Sequence, residues 1–124
     1  MKKILIATLL TCAAGLAFAD GTLQPKYGGT MVEAKSGNRI ELVVSPGMVM
    51  VYLTDHSDKP LDTRGASGEI TLLSGTSKTT AKLQAGQGNA LMAHGTFNAA
   101  AGAKSIVKFA LAGKPAEQVR LEIK

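Results

Sequence analysis

The chain is poor in the residues on which most enzyme chemistry and nucleic-acid recognition depend. Its 124 residues include one cysteine, no tryptophan, two histidines, two tyrosines and three phenylalanines. Cys12 lies in the N-terminal stretch. Once that stretch is removed the chain has no thiol, and disulfides, thiolate zinc sites and cysteine catalysis are excluded together. Tyr27, Tyr52, Phe97 and Phe109 are then the only aromatics, and Lys and Arg are spread along the sequence. A nucleic-acid surface needs clustered cations with stacking side chains between them, so no nucleic-acid partner is expected. No apolar run reaches the roughly 20 residues that a spanning helix needs, and no membrane span is expected in the mature chain.

What is present at the N-terminus reads as a signal peptide. Lys2 and Lys3 form a positive start, residues 4–16 are apolar apart from Thr8, Thr11, Cys12 and Gly15, and Ala17-Phe18-Ala19 is a small-x-small cleavage site. Leu9-Leu10-Thr11 before Cys12 is a poor lipidation signal because Thr is a poor fit at its last position. Cleavage after Ala19 is expected, with residues 1–19 as leader, residues 20–124 as one domain, and a periplasmic location. The remaining chain carries twelve basic and nine acidic residues, a net charge of +3. It is long enough to bury a single core without staples.

Hydrophobic residues recur with period two between glycine and proline turn signals, the pattern of antiparallel strands. Ile40, Leu42 and Val44 alternate with Glu41 and Ser45, Ile70 and Leu72 and then Ala81 and Leu83 continue the alternation, Val107, Phe109 and Leu111 oppose Ile106, Lys108 and Ala110, and Val119, Leu121 and Ile123 oppose Gln118, Arg120, Glu122 and Lys124. Met48-Val49-Met50-Val51-Tyr52-Leu53 is apolar on both faces, which marks a central strand covered on both sides or a strand beside a partner. About seven short strands in this length predict an all-β, immunoglobulin-like antiparallel sandwich, with a small barrel as the alternative. Asn98 to Lys104 is alanine-rich but too short and glycine-broken for a stable helix, and is expected to be a loop.

The sequence offers no enzyme signature. There is no Gly-x-Ser-x-Gly elbow, no His-Glu-x-x-His pair and no phosphate-binding glycine loop. Asp55-His56-Ser57-Asp58 has the composition of a turn, since Asp and Ser bond their own backbone. Asp55, Asp58 and Asp62 lack the spacing and bidentate glutamate of a calcium loop. Gly65-Ala66-Ser67-Gly68 reads as a tight bend or bulge. The protein is expected to be non-enzymatic.

The mature chain does hold four methionines, Met31, Met48, Met50 and Met92, beside His56 and His94. Thioether and imidazole together are ligands for Cu(I) or Ag(I). Met48 and Met50 share one face of a strand, Met92 and His94 share a face of another, and His56 lies just beyond the first strand. These five, His56, Met48, Met50, Met92 and His94, are the candidate metal ligands. The plainer alternative is that methionine fills core gaps and His94 ends a strand in water.

Gly28-Gly29, Glu33, Arg39-Ile40-Glu41-Leu42-Val43, Val51-Tyr52-Leu53-Thr54-Asp55-His56, Lys59-Pro60-Leu61 and Gly65-Ala66-Ser67-Gly68 follow one another in an order that resembles small exported YtkA-like sandwich domains. The likeness runs over residues 27–124. It implies a periplasmic immunoglobulin-like fold and a role beside heavy-metal efflux systems, with His56 as the first residue to carry over as a ligand. Related sequences often carry histidine before the Gly-Gly pair, where this chain has Tyr27. The resulting expectation is a periplasmic accessory of copper or silver homeostasis, with an efflux component as partner. The alternative is an interaction module that pairs a sheet edge, such as Ala90 to Thr96, with a partner strand and binds no metal.

Overall fold

The computed structural model describes residues 23–97 and 100–124, so the leader and its cleavage site lie outside the described residues. Eight strands follow in order: β1 (Thr30–Glu33), β2 (Arg39–Ser45), β3 (Met48–Thr54), β4 (Ser67–Ser74), β5 (Ser77–Ala85), β6 (Ala90–His94), β7 (Lys104–Ala110) and β8 (Glu117–Glu122). All pairings are antiparallel. They form one sheet in the order β1-β2-β3-β6-β5-β4-β7-β8, and β1 and β8 lie against each other so that the sheet nearly closes. No helix occurs among the described residues, and none is long and apolar enough to cross a membrane.

Eight strands are present where the period-two pattern marks about seven. The extra one is β1, Thr-Met-Val-Glu, too short for alternation to stand out, and held by pairing Met31 with Glu41 and Val32 with Ile40. Residues 100–103 are a connection, as expected, while Lys104 already belongs to β7 and residues 98 and 99 lie outside the described set. Of the Gly65 to Gly68 stretch, Gly65 turns the chain at φ +76°. Gly68 is instead part of β4, where a Cβ would stand 2.6 Å from the Lys108 carbonyl oxygen.

Alternation decides which face of each strand is buried. Ile40 and Leu42 of β2, Val49, Val51 and Leu53 of β3, Ile70 and Leu72 of β4, Leu91 of β6 and Val107 and Phe109 of β7 make the interior, with Leu83, Phe97, Val119 and Leu121. The pairing is uneven around the sheet. β4 and β5 pair along eight positions from Ser67–Gln84 to Ser74–Ser77, whereas β5 meets β6 only at Gln84–Met92 and Ala85–Leu91. The edge of β5 from Ser77 to Leu83 therefore has β4 on one side and, among the described residues, no strand on the other.

Candidate functional site

The outer face of β3 answers the question raised by its double apolar pattern. Val49, Val51 and Leu53 enter the core, and Met48, Met50 and Tyr52 point to the opposite side, half-buried. Register places Met48 opposite His94 and Met50 opposite Met92 on β6. Directly opposed residues of an antiparallel pair have Cβ atoms about 4.5–5.5 Å apart. Three thioethers and one imidazole thus occupy a two-by-two block on one outer surface. On the other flank Val43 lies opposite Met50 and Ser45 opposite Met48. Met92 leans toward the end of β5, its Sδ resting 3.4 Å from the point where a Gly86 Cβ would stand.

His56 is placed elsewhere. It follows the Thr54 end of β3, whereas the Met48–His94 pair is at the other end, a separation of roughly 20 Å at the rise of a strand. Its Nδ1 meets Glu33 Oε2 at 2.5 Å. The surrounding residues form the turn that their composition predicts. Asp55 Oδ1 accepts from the backbone N–H of Ser57 at 2.8 Å and of Lys59 at 2.9 Å. Bonding by the Lys59 N–H, then by Ser57, holds the Asp55 carboxyl below its ordinary pKa. Asp58 closes the turn at φ +71°.

Among the described residues no three of His, Cys, Asp and Glu gather closely enough to hold a metal ion. The donors of the β3–β6 block, three thioethers and one imidazole, are of the kind that suits a soft monovalent ion.

Beside this block lies a feature that alternation misreads. Glu41 sits between apolar neighbours and reads as a solvated polar position, yet it is 1% exposed. Its Oε1 accepts the Lys26 N–H at 2.7 Å, and its Oε2 accepts those of Tyr27 and Gly29, both at 2.8 Å. The segment before β1 is thereby folded across the outer face. The Tyr27 ring stacks on Tyr52 at 3.8 Å between centroids, and Lys26 pairs with Asp58 at 2.9 Å. Gly29 is held so close to β2 that a Cβ would collide with the Leu42 carbonyl oxygen and stand 2.8 Å from Val43 Cγ2. Burial raises the Tyr52 phenol above its ordinary pKa, and the neighbouring Tyr27 and Glu41 add to this. The Gly28-Gly29 pair just before a strand is the one sequence signal for this close approach.

An open groove of about 650 Å³ runs between the β1–β2 turn and the β7–β8 connection, lined by Ala34, Leu61, Leu111 and Pro115 among others. Its carboxylate, Glu117, is engaged by the Ser36 hydroxyl and the Asn38 amide. No family model matches the chain, and neither a curated protein nor a solved structure matches it.

Proposed function

We propose that this is an exported, non-enzymatic protein that binds Cu(I) or Ag(I) through Met48, Met50, Met92 and His94, as a periplasmic accessory of transition-metal homeostasis or efflux. The observation that carries this reading is the double cross-strand pairing of Met48 with His94 and Met50 with Met92. Methionine has three side-chain torsions and a polarisable sulfur, so the three thioethers can reach toward the His94 imidazole on adjacent pairs by rotation about side-chain bonds alone. Turning Met92 away from Gly86 is one of those rotations. The metal ligands are thus the β3–β6 four, and His56 belongs to the turn with Glu33. The cellular role is taken from the order of motifs over residues 27–124 that we read as similar to YtkA-like domains.

Within the all-β class we read the fold as an immunoglobulin-like sandwich. The thin β5–β6 seam divides the strand order into β1-β2-β3-β6 and β5-β4-β7-β8, and the chain passes between the halves from β3 to β4, β5 to β6 and β6 to β7. Such crossovers support a Greek-key arrangement of two layers.

Competition titration of residues 20–124 with Cu(I) against a chromogenic chelator tests the metal reading, since all eight strands lie within that span. Binding is expected, lost in Met50→Leu and in His94→Ala, and kept in His56→Ala. Absence of binding above the chelator background overturns it. A second reading, an interaction module pairing through a sheet edge, is favoured by the edge of β5 from Ser77 to Leu83, which has no partner strand among the described residues other than β4 on its far side. Ala90 to Thr96 is less open than its composition suggests, because β3 takes one side of β6 and β5 holds Leu91 and Met92 on the other.

A further inference from the structure

Lys78, Lys82, Lys104 and Lys108 are far apart in the chain, but the fold brings them to one surface. On β4, Leu73 lies opposite both Lys78 of β5 and Lys104 of β7, and Glu69 lies opposite both Lys82 and Lys108. The inward positions of the same strands, Ile70, Leu72, Leu83, Val107 and Phe109, are core, so the lysines are all turned outward and exposed. With strands about 4.8 Å apart and about 3.4 Å per residue, the four lysines stand at the corners of a rectangle of about 10 by 14 Å. Arg120 of β8, opposite Ile106, extends the same face. Five cations thus share this surface with two carboxylates, Glu69 and Glu122, a net of +3. The ion pairs among the described residues lie elsewhere, at Lys26–Asp58 and Arg64–Asp62, as does the His56–Glu33 hydrogen bond. The outer face of β3 and β6 carries no lysine or arginine.

The form of this face selects its partner. It is the broad side of a sheet rather than a groove. Between the lysines it holds Thr71 and Thr80, with hydroxyls 3.4 Å apart, and Ile106, and it offers no aromatic ring for base stacking. Compact ammonium charges spread over a plane suit a plane of phosphate diesters without demanding the fixed geometry that arginine imposes. Leu73, an exposed large hydrophobic at the end of the β4–β5 hairpin, adds an apolar contact at the rim.

We propose that the outer face of β5, β4, β7 and β8 binds the surface of an anionic lipid membrane, with Lys78, Lys82, Lys104 and Lys108 on the headgroup phosphates. This is independent of the metal reading. Each lysine near such a surface is worth about fivefold in partitioning, from roughly 1 kcal/mol per cation.

The test is co-sedimentation of residues 20–124 with vesicles of equal parts phosphatidylglycerol and phosphatidylcholine, beside vesicles of phosphatidylcholine alone. Binding to the first and not the second is expected, weakening as salt rises. Lys78→Gln with Lys104→Gln is expected to lower partitioning about 30-fold, as is Lys82→Gln with Lys108→Gln. Lys35→Gln with Lys114→Gln makes the same change in net charge away from the face and is expected to leave partitioning essentially unchanged. No binding to the anionic vesicles overturns the proposal, and so does an equal loss from all three pairs. Displacement by inorganic polyphosphate at matched phosphate concentration also overturns it, assigning the face to a soluble polyanion.

Discussion

Replacing Glu41 with glutamine exchanges one oxygen of a buried carboxylate for an amide that only donates. Three backbone N–H groups, those of Lys26, Tyr27 and Gly29, depend on that carboxylate. The best orientation of the introduced amide keeps its oxygen at the position serving Tyr27 and Gly29 and turns its nitrogen toward the Lys26 N–H. Two bonds then fall from charged to neutral strength, about 1 kcal/mol each, and one donor is orphaned at about 1–3 kcal/mol. Relief of the cost of burying a charge offsets part of this. A net loss of about 2–3 kcal/mol is expected, up to the limit at which the segment undocks and its N–H groups return to water. Urea denaturation measures the loss, and trypsin cleavage after Lys26 measures the undocking, since a peptide bond held against the sheet resists the protease. A Glu41→Gln protein with an unchanged midpoint and a protected Lys26 would refute the clamp.

Gly29→Ala drives a Cβ into the Leu42 carbonyl oxygen. Because backbone and not a flexible side chain is in the way, the same undocking is expected, read as faster cleavage after Lys26 with the core unfolding transition retained. The Tyr52 phenol has its pKa raised by burial, so the fold favours the neutral form. That contribution to stability is complete below the ordinary tyrosine value of about 10, and is lost as pH rises through the higher folded value. Phenolate absorbance should show one tyrosine titrating late, and Tyr52→Phe should remove it.

Most of the strand positions were legible because a sheet with one buried face writes itself into the sequence with period two. Ile40-Glu41-Leu42 and Val119-Arg120-Leu121 are examples, and so is the shared face of Met48 and Met50. The same rule gave Glu41 its side and missed its burial. Alternation says which side of the strand a residue takes, and Glu41 does take the outer side. That side is buried at this point because the segment from Lys26 to Gly29 crosses it, a contact across 12 to 15 residues with no local signature beyond two glycines. β1 escaped notice for a related reason, since four residues are too few for a period and its place is set by β2.

The lysines show where the division falls. The sequence by itself determined that Lys78, Lys82, Lys104 and Lys108 lie outside the core, because an unpaired lysine is costly to bury and Lys82 and Lys108 alternate with Ala81, Leu83, Val107 and Phe109. It likewise determined that Met48 with Met50, and Met92 with His94, share faces within their own strands. Which strands are neighbours is another matter. Strand order and register depend on hydrogen bonds between segments distant in the chain and on a core assembled from all of them at once. Only the tertiary structure put β6 beside β3, bringing Met50 to Met92 and leaving His56 at the far end, and put β4 between β5 and β7, drawing scattered lysines into one charged plane.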